Sequence, residues 1–219
     1  MLKLKFDSFW KNFNKKNNYF IDLLKLYNIE YEIVDQDPHI LIFSVFRGEN
    51  YIKKHIINRW NSVKKIFYTG ENKRPRNDVE LNLTFDFSER FNNFRFPLWI
   101  IYFKRYNLIT NFALKNNNAN GFCSFVYSRT TKLRIEVCNK FKKYKLVGCG
   151  GSVLNNVGGK VIDKIEFQRK YKFCLAIEHT EYSGYTTEKI LEAFISNSIP
   201  IYFGSDKVVE DFNKETFIN

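Results

Sequence analysis

"YKFCLAIEHTEYSGYTTEKILEAFISNSIPIYFG", residues 171–204, compresses a strand, a polar crossover, a helix and a second strand into one stretch. FCLAIE at 173–178 is a continuous apolar run closed by an acid, as expected of a strand buried on both faces of a parallel sheet, with Glu178 at its carboxyl edge. Ile190, Leu191, Phe194 and Ile195 recur at helical spacing and form a core-facing stripe. Thr186 and Thr187 can both cap the start of that helix, and Glu188 and Lys189 fall in its first turn. Ligands of open α/β sheets lie outside the carboxyl ends of the strands, and helix N-termini offer phosphate free N–H groups and a positive dipole. A lysine in the first turn opposes that dipole, so Lys189 is either an anion ligand or an ordinary solvated lysine.

The same rhythm runs upstream. GFCSFVYS reads as a strand, residues 133–142 as a helix, and LVGCGG as a strand entering a glycine-rich turn. Strand, helix and strand in succession imply parallel pairing through crossover helices, an α/β class. The glycines of GCGGSVLNNVGG, 148–159, allow a sharp turn or close backbone approach to a ligand. No Gly-Lys-Ser/Thr follows, so this is not a Walker loop, and the dinucleotide fingerprint is out of register. Nearer the N-terminus, residues 8–27 predict a helix capped by Asp7 or Ser8, and strands are expected at 31–34, 40–46, 65–68 and 83–87. The polar, aperiodic NFALKNNNANG at 111–121 is either a linker between halves or a long surface loop; as a linker it divides the chain into domains 1–115 and 116–219.

With 219 residues, 44% hydrophobic and 18% aromatic, the chain can bury a sizeable core. Its formal charge of +12 favours anionic partners: nucleotide phosphates, nucleic acid or acidic membrane faces. Nucleic acid is disfavoured, because the aromatics are interleaved with aliphatics as in a core and no known binding module is present. Cys123, Cys138, Cys149 and Cys174 stand singly, without metal-site spacing or the density of a disulfide scaffold, which suits reduced thiols in a cytosol. No signal peptide or membrane span is visible, so the expected location is cytoplasmic, with peripheral membrane contact through the basic surface left open. Asp35-Gln36-Asp37 has the form of a manganese-binding D-x-D but precedes Pro38 as ordinary turn chemistry, and His39 and His55 lack partners at ligand spacing. Glu71 and Asn72 read equally as turn residues or as polar groups facing a ligand. The oligomeric state is not written in the sequence.

The stretch from Tyr171 to Asn219 resembles the sugar-nucleotide motif of glycosyltransferase family 10, the α-1,3-fucosyltransferases of bacterial and viral type. FYTGENKRP at 67–75, FDFSERFNNFRFPLW at 85–99, GFCSFVYS followed by Arg134, and VGCGGSVLNNVGGKV at 147–161 are similar to further motifs of that family, in its order. The resemblance implies a GT-B architecture, two Rossmann-like halves facing a cleft, and inverting transfer of L-fucose from GDP-β-L-fucose to an N-acetylglucosamine-containing glycan. It implies no cofactor and no metal. Carried onto this chain, it makes Arg134 and Lys189 the diphosphate ligands and brings Tyr185 and Glu188 to the ribose and fucose. Gly150, Gly151, Ser152, Glu178, His179 and Thr187 complete the implied donor site. The implied general base is an N-terminal acid: counting back from Pro97 gives Asp86, and a one-residue difference in length leaves Glu89 open.

Two departures stand out. Glu178-His179 replaces the usual Glu-Asn, and family members run on past the Phe-Ile-Asn stretch where this chain stops at Asn219. The C-terminal half is thus expected to be incomplete, whether through truncation or in a naturally short protein. A transferase for another sugar nucleotide and a catalytically silent binding relative are the competing readings.

Overall fold

A computed structural model describes residues 1–106 and 119–219, which form two compact units, Met1–Pro97 and Leu98–Asn219. The domain boundary expected at 115/116 and residues 111–118 of the expected linker lie outside the described residues.

The first unit is a six-stranded parallel sheet. Its strands are β1 (Leu2–Asp7), β2 (Tyr31–Ile33), β3 (Ile40–Phe43), β4 (Lys64–Tyr68), β5 (Leu81–Thr84) and β6 (Asn93–Arg95), in the spatial order β2-β1-β3-β4-β5-β6. Chain order reverses between β1 and β3, which makes that gap the topological switch point of the sheet. Leu4 and Phe6 of β1 are buried between Lys3 and Lys5, a period-two pattern. One cluster joins Leu41, Phe43 and Phe67 to Ile52 and Ile56, which lie in α2 (Glu49–Ile52) and the π turn Lys53–Ile57. A second packs rings: Phe6 on Phe13 at 5.5 Å, Phe20 on Tyr68 at 5.6 Å and Phe9 on Phe13 at 4.0 Å.

The helix expected over 8–27 is confined to α1 (Tyr19–Leu26), and its cap is Asn18, whose side chain accepts from Phe20 N and Ile21 N, not Asp7 or Ser8. Asp7 ends β1, and Ser8, with φ 56°, turns the chain into the run of turns that precedes α1. The rings of Phe9 and Phe13 mimic helical spacing but serve the aromatic cluster from a chain of turns.

The second unit holds a four-stranded parallel sheet, β10-β9-β7-β8, made of β7 (Gly121–Phe125), β8 (Val147–Cys149), β9 (Tyr171–Ile177) and β10 (Ile199–Phe203). Among its described residues the α-helices are α3 (Trp99–Arg105), α4 (Lys132–Tyr144), α5 (Lys164–Gln168) and α6 (Glu188–Ile195). Each strand–helix–strand expectation downstream of Gly121 is met. The order repeats that of the first unit, with the switch point now between β7 and β9. Residues 98–106, expected with the first half, belong here: Trp99 packs on Phe212 at 5.4 Å and Tyr106 donates to Glu192 Oε1 at 2.9 Å. The four cysteines are free and buried.

Candidate active site

At the switch point of the second unit, β7 and β9 pair as far as Ser124 and Cys174. Beyond that, the Tyr127 hydroxyl takes over the ladder, donating to Leu175 O and accepting from Ile177 N, both at 2.6 Å. Gly151 lies against this tyrosine so closely that a Cβ would come within 2.1 Å of Tyr127 O, and a Cβ on Gly150 would meet Val161 at 2.5 Å. The absence of side chains at these glycines is therefore required by the chain's own packing. Ser152, next along, is exposed.

Arg134 rises from the first turn of α4, where Thr131 caps the helix by accepting from Arg134 N at 3.2 Å. The buried guanidinium lies over the Tyr127 ring at 4.2 Å. It donates from Nε and Nη2 to Ile177 O, at 3.3 and 2.9 Å, and from Nη1 to Arg129 O at 3.1 Å. Arg134 thus ties the carboxyl end of β9 to the loop after β7, and Arg129 in that loop has its own side chain exposed.

Glu178 follows β9 and is buried. Its Oε1 accepts from Thr187 N at 2.7 Å, Thr187 Oγ1 lies 2.8 Å from both carboxylate oxygens, and Lys189 Nζ is 3.0 Å from Oε2. Thr187 occupies the N-cap position of α6, yet its hydroxyl makes no cap bond, because Glu178 claims it; Thr186 does not hold that position. Lys189 Nζ also donates to Thr187 Oγ1 at 2.8 Å and reaches Glu188 Oε1 at 3.4 Å, so acceptors of this chain engage all three ammonium hydrogens. Burial opposes the Lys189 charge, but Glu178 and Glu188 outweigh it and raise its pKa above the ordinary lysine value. Burial likewise opposes ionisation of Glu188, while Lys189 and Lys164 hold its carboxyl below the ordinary range. Lys189 therefore lies between two carboxylates, Glu178 and Glu188, at the start of α6. Below it, a Cβ on Gly204 would meet the Glu178 side chain at 2.5 Å, and Ser205 N donates to the Tyr202 hydroxyl at 3.0 Å. Tyr185 is buried; His179 is exposed.

In the first unit, Asp86 follows β5 with its side chain 14% exposed, and Arg74 Nη1 donates to its Oδ2 at 2.8 Å. Arg74 also bonds Asn72 Oδ1 and lies over the Phe85 ring at 4.8 Å. Asn93 Nδ2 donates to Asp86 O at 3.1 Å, which anchors the backbone beneath the carboxylate. Glu89 is exposed in the following loop. Glu71 closes a turn, its N–H donating to Thr69 Oγ1 at 3.0 Å and its carbonyl accepting from that hydroxyl at 3.0 Å.

The structure thus gathers Arg134, Glu178, Thr187, Glu188 and Lys189 around the β7–β9 switch point, and sets Asp86 at the carboxyl edge of the other sheet. Sequence reasoning missed Tyr127, Arg129 and Arg74. The first two follow directly on a predicted strand, a position that marks them, whereas nothing local joins Arg74 to Asp86. Asp35 sits in the expected turn and takes Lys5 and Lys15 at 3.6 and 3.7 Å. Among the described residues no helix is long and apolar enough to cross a membrane.

Comparison with known proteins bears on both units. Residues 4–102 match the Alpha-(1,3)-fucosyltransferase FucT N-terminal domain, and residues 114–219 match the Glycosyltransferase family 10 (fucosyltransferase) C-terminal model. The Helicobacter pylori Alpha-(1,3)-fucosyltransferase FucT is 31% identical over all of this chain, which spans 53% of that protein. A putative fucosyltransferase of Acanthamoeba polyphaga mimivirus is 35% identical over 44% of this chain and 18% of its own length. The chain therefore spans about half, or less, of the curated relatives it matches. A crystal structure of an alpha1,3-fucosyltransferase superposes on the whole chain with a TM-score of 0.82, 28% identity and 73% of its own length covered. A crystal structure of alpha1,3-fucosyltransferase with GDP-fucose does so at 0.79, with 26% identity and 72% covered. With one model of the family on each parallel sheet, and the GT-B fold of its solved members, this chain belongs to glycosyltransferase family 10, the α-1,3-fucosyltransferases.

Proposed function

We propose that the chain transfers L-fucose from GDP-β-L-fucose, with inversion, to a hydroxyl of an N-acetylglucosamine-containing glycan. The observation that carries this reading is the buried Glu178–Thr187–Lys189 cluster, which joins a strand's carboxyl end to a helix N-terminus in the family's sugar-nucleotide motif. Departure of GDP adds negative charge to the diphosphate. Lys189 meets that charge by exchanging its longest contact, Glu188 at 3.4 Å, for a phosphate oxygen, and the N–H groups opening α6 add their dipole. Arg134 holds the site's floor and leaves Arg129 at its rim; in this reading the guanidinium N–H groups not used at Ile177 and Arg129 are offered to the diphosphate. Gly150, Gly151, Ser152, His179 and Tyr185 complete the donor site in this reading. Asp86 takes the proton of the acceptor hydroxyl, with Arg74 orienting its carboxylate. In this reading the donor side is the unit that starts at Leu98 and the acceptor side is Met1–Pro97, so the division falls before the 115/116 boundary expected from the sequence.

The decisive assay combines GDP-fucose and N-acetyllactosamine with the purified protein and identifies the product by NMR. An α-linked fucose on O3 of the N-acetylglucosamine is the expected outcome, and GDP should raise the thermal midpoint at lower concentration than UDP. Preference for UDP, or release of GDP that acceptor does not stimulate, overturns the assignment. Asp86→Asn should lower transfer by about 10²- to 10⁴-fold with GDP affinity kept. Full activity in that variant, with loss in Glu89→Gln, moves the base to Glu89.

A further inference from the structure

The switch point of the first unit, between β1 and β3, has features that the donor site and Asp86 leave unused. Both chains cross it in register: Ser44 N donates to Asp7 O at 3.2 Å and Phe46 N to Ser8 O at 2.9 Å. Trp10 and Phe46 stand over this edge 41% and 48% exposed, their rings 5.9 Å apart and edge to face, with Trp10 braced by Phe9 at 5.7 Å and Phe13 at 5.0 Å. Beneath them the Ser44 hydroxyl is fully buried with no partner among the described residues, an arrangement that calls for an explanation. The Asp7 carboxylate takes Ser8 Oγ at 3.1 Å. Ser8 itself holds φ 56°, a left-handed conformation that costs a serine about 1–3 kcal/mol and gathers at ligand sites.

We propose that this switch point is a sugar-ring subsite for the acceptor, taking a residue of the oligosaccharide other than the one that reacts. The proposal rests on the reading that the chain fucosylates a glycan. An exposed, braced indole offers a flat apolar surface to a pyranose ring, and the polar groups at the same two strand ends, Asp7, Ser8 and Ser44, are of the kind that match sugar hydroxyls. Open parallel sheets bind ligands at this topological position, and in the second unit the corresponding position holds the residues assigned to the donor. The distance fixes the occupant. Asp86 follows β5, which is two strands from β3 and three from β1, or about 10–14 Å at the usual strand spacing, farther than one hexose reaches. The ring on Trp10 is therefore joined to the reacting sugar through the chain of the acceptor.

The test compares transfer to N-acetyllactosamine with transfer to the tetrasaccharide made of two such units. Trp10→Ala should cut kcat/KM for the tetrasaccharide about tenfold, chiefly through KM, while the disaccharide stays within about twofold and Trp10→Phe recovers most of the loss. Equal loss on both acceptors, or loss on neither, overturns the subsite. If Trp10→Ala does not fold, Phe46→Ala is judged by the same ratio. If the wild-type protein transfers to neither acceptor, the transferase reading fails by itself, and calorimetric titration of the tetrasaccharide without donor decides the subsite. Binding by the wild type that Trp10→Ala loses supports it; equal binding by both proteins, or none by the wild type, overturns it.

Discussion

At the residue scale, Glu178 and Lys189 show how much one pair can hold. The Glu178 side chain is 0% exposed and that of Lys189 15%. Removing one member of a buried pair leaves the other charge uncompensated, so Glu178→Gln should cost about 3–5 kcal/mol in urea unfolding, whereas unchanged stability would show that Glu188 alone suffices for Lys189. Asp78 gives a pH-dependent case. Arg76 donates to it from Nε and Nη2, both at 2.7 Å, and from Nη1 to Glu49 at 2.8 Å. The Arg76 bond holds the Asp78 carboxyl below its ordinary value. A carboxyl with a depressed folded-state pKa stabilises above its unfolded value, about 4, and loses that contribution as pH falls toward the folded one. Asp78→Asn should therefore flatten the acid limb of the stability curve, as followed by circular dichroism below about pH 4, and an unchanged limb would refute the pairing. The sequence marked Lys189 as out of place in a first helical turn. Its partner eleven residues back was invisible, because only the fold of the loop between β9 and α6 brings Glu178 to Nζ.

At the element scale, the extension of the β7–β9 ladder rests on one hydroxyl. Tyr127→Phe leaves Leu175 O and Ile177 N buried without their partner, at about 1–3 kcal/mol for each group. The expected result is a thermal midpoint lowered by several degrees together with faster amide exchange at Ile177; a variant matching wild type on both would mean that water replaces the hydroxyl. Elements with one dominant period were readable in advance. FCLAIE became β9 and the stripe from Ile190 became α6 almost to the residue, since continuous apolar runs and 3.6-residue stripes each have a single way to be buried. β1 was missed although Leu2, Leu4 and Phe6 alternate with lysines, and the helix expected over 8–27 shrank to Tyr19–Leu26. The error has one cause: Phe9 and Phe13 lie four apart, a spacing that suits a helix face and also a turn that brings two rings into stacking contact.

At the scale of the whole molecule, two parallel sheets repeat one strand order with the switch point in the same place. If GDP is held by the second unit, amide exchange with GDP bound should slow at 177–190 and in the loop after β7, with 1–97 little changed; protection confined to 1–97 would place the nucleotide on the wrong unit. The arginine and lysine assigned to the diphosphate, Arg134 and Lys189, predict transfer in excess chelator within a few-fold of the untreated rate. Loss of more than about tenfold, restored by manganese, would put a metal in the mechanism. The sequence by itself determined the α/β class, the parallel pairing of the second half, the family and the candidate residues, because each of these is written in local periodicity or in contiguous motifs. Only the tertiary structure decided that Arg74 serves Asp86, that Tyr127 completes the β9 ladder, that Lys189 is neutralised by the chain's own acids and that Trp10 meets Phe46. Each joins residues whose separation along the chain carries no period, so the contact exists only once crossover connections have set the strands side by side.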